Sequence, residues 1–217
     1  MIGTKLIDAA AKVLYDETNF TFSRSELLDY LASAINAIVA AKPDAYSVQK
    51  RWQLAEGSVQ TLPSDGTYLI RILRNAGADG AKPGRAIQWT ELEELNRADP
   101  NWHNAPQSNT VEQYAYDMRD QKFFYVYPPM EFPPSWVEGV YNAAPARYVD
   151  ETQPLPLDDL YEDALRGYVV GRALMRGTGR EGEEPDNARA ALHMQVFTVA
   201  LNAIATGQAA TEQLRRR

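Results

Sequence analysis

The chain has 217 residues, 45% of them hydrophobic and 10% aromatic, which is enough apolar surface to bury a core and too much for a chain disordered throughout. A formal charge of −7 excludes tight binding to nucleic acid through a basic surface, and the absence of cysteine excludes disulfides and thiolate metal sites. No uninterrupted apolar run approaches the roughly 20 residues that cross a bilayer, and Met1-Ile2-Gly3-Thr4-Lys5 is no signal-peptide core, so the expectation is a soluble, unexported protein without a membrane partner.

Ile2, Leu6, Ala10, Val13 and Leu14 recur at helical spacing and predict a first helix over 3–15. Ser23-Arg24-Ser25-Glu26 has the form of a capping box, in which the serine accepts from a free N–H and the glutamate reaches back. It opens a second helix through Leu27, Leu31, Ile35 and Ile38 to about Ala41, stopped by Pro43. The period then changes. Residues 49–55, 67–74, 85–90, 111–117, 122–127 and 136–143 are short β-branched and aromatic runs separated by Gly, Pro, Asn and Asp, with a short helix over 91–96 and a hairpin within 114–123. After Pro145, Pro154 and Pro156 the helical period returns. Leu157, Leu160, Tyr161, Ala164, Leu165, Tyr168 and Leu174 predict a third helix with Asp158 and Asp159 at its positive end, and Gly177, Gly179 and Gly182 break the chain. A fourth helix runs over 186–206, with Gly207 as its stop and a frayed tail after it. The expected fold class is α+β: a helical bundle from 1–45 and 155–207, a β-rich domain inserted at 46–154, and a flexible tail at 208–217.

Lys122-Phe-Phe-Tyr-Val-Tyr-Pro-Pro129 is apolar on both faces of any strand it forms. Phe123, Tyr125 and Tyr127 point one way and Phe124 and Val126 the other, and the prolines are expected to end the pairing. One set can fill the core of the β domain and leave the other for a ligand or a neighbouring subunit.

The residue types that carry chemistry do not converge. Gly77 to Gly84 holds three glycines and Lys82, but its spacing fits neither phosphate-loop pattern and Pro83 removes a donor, so a long hairpin loop is expected. His103 and His193 lack partners at metal-ligand spacing, and no serine stands in a Gly-x-Ser-x-Gly context or has a histidine evidently placed to activate it. Glu91, Glu93 and Glu94, and Asp158, Asp159, Glu162 and Asp163, cluster at helix starts, where the helix dipole accounts for them. No catalytic residue, metal or cofactor is therefore assigned. Two alternatives stay open: a cell-wall glycosidase using a carboxylate pair such as Glu91 and Glu94, and a carbohydrate-binding module using Trp52, Trp89, Trp102 and Trp136.

Ser25-Glu26-Leu27-Leu28, Ala41-Lys42-Pro43-Asp44-Ala45-Tyr46, Arg74-Asn75-Ala76-Gly77 to Gly84-Arg85-Ala86, Asp99-Pro100-Asn101-Trp102-His103 and Phe124-Tyr125-Val126-Tyr127-Pro128-Pro129 together resemble the landmarks of a phage head-to-tail adaptor family over about residues 5–205. The resemblance implies helices with a β insertion, and a structural role in the virion at the head-to-tail junction after synthesis in the host cytoplasm. It implies a homo-oligomeric ring, commonly dodecameric, between the portal protein and a tail or nozzle protein. Genome DNA would pass through its channel during ejection without specific binding. Some adaptors of other phages are linked to cell-wall hydrolysis, which keeps the glycosidase alternative in view. The subunit-interface candidates are Phe123, Phe124, Tyr125, Val126 and Tyr127. Leu214, Arg215, Arg216 and Arg217 are the candidates for a tail that docks on the portal.

Overall fold

A computed structural model describes residues 1–117, 119–177 and 186–215. Among them the chain is mixed α+β, with five α-helices and two sheets. It divides into two compact units, Met1–Ala45 with Pro145–Arg217, and Tyr46–Ala144.

In the first unit, α1 (Gly3–Val13) buries Leu6, Ile7, Ala10 and Ala11, an i, i+1, i+4, i+5 stripe on one face. Its start is tied to the segment before the later helices: Thr4 N–H donates to Glu151 O at 2.8 Å, and Gly3 N–H to Tyr148 Oη at 3.1 Å. Residues 145–154, expected with the β region, thus sit with the helices. α2 (Arg24–Ala41) is capped by Ser23, whose Oγ accepts from Glu26 N–H at 3.3 Å, and it buries Leu27, Leu31, Ala34, Ile35 and Ile38. Oε1 of Glu26 accepts from Tyr30 Oη at 2.8 Å and lies 2.9 Å from Arg176 Nε. Burial, reinforced by that carboxylate, raises the Tyr30 phenol to about 12.

The third helix begins later than its periodicity predicts. Asp158 accepts from Leu160 N–H and sets a single 3₁₀ turn, Asp159–Tyr161, before α4 (Glu162–Arg176). The helix packs on α1, α2 and α5 and buries Ala164, Leu165, Val169, Val170 and Ala173, and Gly177, at φ +73°, ends it. Gly179 and Gly182, named above as breakers, lie outside the described residues. α5 (Asn187–Arg215) corrects the expected stop at Gly207 and the flexible tail after it, because the helix runs through that glycine to Arg215. Glycine costs a helix interior about 1 kcal/mol relative to alanine, and Ala205, Gln208, Ala209 and Ala210 around it are good helix formers.

In the second unit, β1 (Ser47–Gln53), β7 (Trp136–Ala143) and β3 (Gly66–Gly77) form one antiparallel sheet in the order β1-β7-β3. β2 (Gly57–Thr61), β6 (Asp120–Met130), β5 (Gln113–Asp117) and the two-residue edge β4 (Gln88–Trp89) form the other, in the order β2-β6-β5-β4. The sheets share one core, in which Trp52, Leu69, Ile72, Tyr114, Phe124, Val126, Met130 and Tyr141 meet. Trp52 stands edge-on to Phe124 and Tyr141, with centroids 6.4 and 5.6 Å away. A short helix, α3 (Leu92–Ala98), follows β4, and β5 and β6 form the expected hairpin with Asp117 opposite Asp120.

Two strand features depart from the sequence expectation. β3 buries Leu69, Ile72 and Asn75, every third residue, because its register against β7 shifts repeatedly along the pair. β6 does not end at its prolines. Its pairing with β2 jumps from Val59↔Tyr125 to Gly57↔Met130, so Pro128 and Pro129 fall where the ladder asks for no donor, and Pro129 O still accepts from Ser108 N–H.

Candidate interaction surface

The side chains that could carry chemistry are engaged inside the fold. Ser58 Oγ lies 2.8 Å from His103 Nδ1, a pairing that corrects the expectation that no histidine reaches a serine. Their positions, 45 residues apart, hid it. The imidazole is stacked on Trp102 with centroids 3.7 Å apart. The pair ties β2 to the turn at Trp102–Asn104. Residues 77–84 form a hairpin loop, with Gly84 N–H donating to Asn75 O and Asn75 N–H to Arg85 O.

Glu138, on β7, is buried between two arginines: Arg74 Nε at 3.0 Å and Arg51 Nε at 3.2 Å, with Gln49 Nε2 also donating to it. The Arg74 hydrogen bond, followed by that of Gln49, lowers its carboxyl to about 2. The network clamps the three strands across β7. Of the glycosidase pair, Glu94 accepts from Thr90 Oγ1 at 2.9 Å. Glu91 lines a cavity of about 490 Å³ with Trp89, Glu93, Tyr116, Asp117 and Arg119. Trp52 and Trp102 are core residues, which removes them from any carbohydrate platform.

The predicted interface strand is mostly covered by its own unit. Phe124 and Val126 are fully buried in the shared core, which corrects their assignment as contact residues. Tyr125 and Tyr127 are half-buried against Leu95, Trp102 and Ala115, a second small cluster that α3 brings over the opposite face. Both faces of the strand are therefore satisfied within the chain, and Phe123 alone of the five is exposed. Of the predicted tail, Leu214 is exposed on α5; the side chain of Arg215, and Arg216 and Arg217 entirely, lie outside the described residues.

Exposed large apolar side chains stand on both units: Val59, Trp89 and Phe132 on the β-rich unit, and further ones on the helical unit. α5 docks on α4 by a close backbone approach: Gly167 faces His193 O and Phe197 N, and Gly171 faces Met194. Ala190 and Leu201 are buried there, and Phe197 stands edge-on to Tyr168 at 5.2 Å. Burial, with Arg189 and Arg166 nearby, lowers the His193 pKa and favours a neutral imidazole in this seam. Beside that seam α5 carries a second stripe, Leu192, Val196 and Val199, exposed by 62%, 46% and 57%, of which Val196 still reaches α4: its Cγ1 lies 3.4 Å from where a Cβ on Gly167 would stand. By length and composition Asn187–Ala210 could cross a membrane, although no uninterrupted apolar run reveals it, and little of that stretch is buried.

A second feature stands on the loop after α1. Tyr15 and Phe20 are 88% and 80% exposed, and the loop between them is built around Asp16, whose carboxylate accepts from the N–H groups of Phe20, Thr21 and Phe22 at 2.8–2.9 Å. Tyr15 and Asn19 hold left-handed backbone conformations, both at φ +56°. The sequence signal for these features is a helix with apolar residues on two sides and large aromatics set in a turn of Asp and Asn.

A family model described as SU10 adaptor protein matches residues 1–217. None of the curated proteins compared with the chain matches it.

Proposed function

The chain belongs to the SU10 adaptor protein family, a family of phage head-to-tail adaptors, and from that premise we propose that it is a structural component of the virion. Copies close into a ring of twelve between portal and tail or nozzle, and extend the channel through which DNA is ejected. In each copy both ends of the chain make the helical unit, and the β-rich unit is inserted between them in the sequence. The observation that carries this reading is the family match over the whole chain. Apolar surface left open on α5 and the Tyr15–Phe20 loop supports assembly into a larger particle. The charge of −7 supports a conduit, since an acidic wall repels a duplex and lets it slide. Leu214 through Arg217 are proposed to dock on the portal, and Phe123 is the member of the β6 set left for a contact in the assembly.

The test is imaging of the purified chain mixed with its phage's portal ring. Class averages showing a second ring seated on the portal are expected; a bare portal overturns the reading. Deletion of residues 208–217 should abolish docking, and unchanged docking rejects the tail assignment. Retention of a DNA duplex by the assembled ring at about 0.15 M salt, where weak surface attraction is screened, rejects the conduit.

A further inference from the structure

We propose that the cavity beside Trp89 binds a neutral saccharide. The site stands on the β-rich unit alone and is independent of the ring. Trp89 is 53% exposed, although tryptophan is a side chain that folding usually covers. It lines the cavity of about 490 Å³ together with Glu91, Glu93, Tyr116, Asp117 and Arg119. That is the size of sites that hold a small molecule.

The walls are fixed before any ligand arrives. The backbone on either side of Trp89 is tied to its neighbour strand, with Gln88 N–H donating to Glu112 O and Thr90 N–H to Tyr114 O, both at 3.0 Å. Glu91 O accepts from Glu94 N–H at 3.0 Å, and Asp117 Oδ1 accepts from Arg119 N–H at 2.8 Å in the β5–β6 turn. Tyr116 stacks on Tyr114 with centroids 6.3 Å apart, and Tyr114 is buried in the core of the unit. A platform held in this way loses little freedom on binding.

The lining selects the ligand. Three carboxylates and one guanidinium share the cavity, yet among the described residues no ion pair joins Arg119 to Glu91, Glu93 or Asp117. An anion would meet the carboxylates, and a cation would satisfy them but leave Arg119 against a like charge. A hydroxyl serves both, because its O–H donates to a carboxylate while its oxygen accepts from the guanidinium. A wholly apolar ligand would cover the charged groups and leave them unanswered. The exposed indole adds a flat apolar face, and a sugar ring turns its C–H face to such a surface while its hydroxyls reach the polar rim.

The full chain is isotope-labelled, and its four tryptophan indole N–H signals are followed by NMR, that of Trp89 being the one missing from Trp89→Phe. It is titrated with maltotriose, mannotriose, cellotriose and triacetylchitotriose, and separately with sodium phosphate and with hexalysine. At least one sugar should move the Trp89 signal saturably and leave those of the core residues Trp52 and Trp102 in place. By calorimetry Trp89→Ala should weaken that sugar's binding about tenfold or more, and Trp89→Phe, which keeps a smaller ring, should weaken it less. Arg119→Gln, at an exposed position in the turn, should weaken it as well. Equal melting of wild type and variants checks the fold; if Trp89→Ala melts early, Trp89→Phe and Arg119→Gln carry the comparison. No response to any of the sugars overturns the site. A response to hexalysine or phosphate and to no sugar overturns it in favour of a charged partner. Sugar binding that the Trp89 and Arg119 variants leave unchanged places the sugar elsewhere and overturns it too.

Discussion

Replacing Gly167 by alanine should destabilise the chain, whereas the same change at Gly171, one helical turn on, should not. A Cβ at Gly167 would lie 2.9 Å from His193 O and 3.2 Å from Phe197 N, both backbone atoms of α5. Ordinary contact begins near 3.4 Å, so α5 must retreat by about 3.4 − 2.9 = 0.5 Å along its docking seam. Overpacking of this kind costs about 1–3 kcal/mol. The gain from placing alanine in a helix interior returns about 1 kcal/mol, for a net loss between about 0 and 2 kcal/mol. At Gly171 the close atoms are Sδ and Cγ of Met194, at 2.9 and 3.0 Å, the end of a flexible side chain that can swing away; the nearest backbone atom, Ala190 O, is at 3.4 Å. There the helix gain of up to about 1 kcal/mol survives. Urea unfolding at a common slope reads both, with the midpoint of G167A below wild type and that of G171A at or above it. A midpoint for G167A above wild type, or one for G171A below it, refutes the backbone-contact account of how α5 is held.

Glu138 gives a pH signature. Its carboxyl is held near 2, below the ordinary 4.5, so its contribution is complete above about pH 4.5 and is lost as pH falls toward 2. Glu138→Gln should flatten that acid limb in melting temperature, and parallel curves for wild type and variant would reject the clamp. Phe124→Ala, at a fully buried site between Trp52 and the sheet, should cost about 3–5 kcal/mol, while Phe123→Ala should stay within about 0.5 kcal/mol; equal losses would mean that the strand's faces are misassigned. Asp16→Ala leaves three N–H groups without their acceptor and should cost about 1–3 kcal/mol, with faster amide exchange at Phe20, Thr21 and Phe22. Unchanged exchange there would show that the loop does not depend on the carboxylate.

Where local chemistry decides an element, the sequence shows it. The Ser23 cap and the spacing of Leu27, Leu31, Ile35 and Ile38 announce α2, and the Asp117–Asp120 turn announces the β5–β6 hairpin. Where tertiary contacts decide, it misleads. β2 escaped notice because Gly57-Ser-Val-Gln-Thr61 has one apolar side chain and becomes a strand only by pairing with β6. β3 hides its burial pattern because register shifts turn a period of two into one of three. Gly207 reads as a stop because a glycine after an apolar run usually is one, but nothing crowds it in the interior of α5. The interaction surface was less legible for a further reason. Leu192, Val196 and Val199 merge in the sequence with the inward set Ala190, Phe197 and Leu201, and only the docking of α4 separates covered from uncovered residues. Gly167-x-x-x-Gly171 is the one local pattern that could have foretold which side α4 takes.

The contrast between the polar and the apolar residues carries the functional argument. Many of the buried polar groups are answered inside the chain: Asp16 by three backbone N–H groups, Ser58 by His103, Asn75 by Arg85 O and Val111 O, Gln60 by Ala55, Glu138 by Arg51, Arg74 and Gln49; Asn19 Nδ2, Trp52 Nε1 and Glu151 Oε2 are buried without a hydrogen-bond partner. The answered groups are fixed by their partners and rigidify the fold. The apolar groups are not all answered. β6, apolar on both faces in the sequence, has them covered by its own unit except at Phe123, while Leu192 and Val199 of α5 and Tyr15 after α1 are largely exposed to water. Area of that kind drives association without needing a reacting group, and its strength scales with the apolar surface removed from water. An adaptor works by being held between other parts, and the apolar side chains that stand in water among this chain's exposed charges are the surface on which such holding can act.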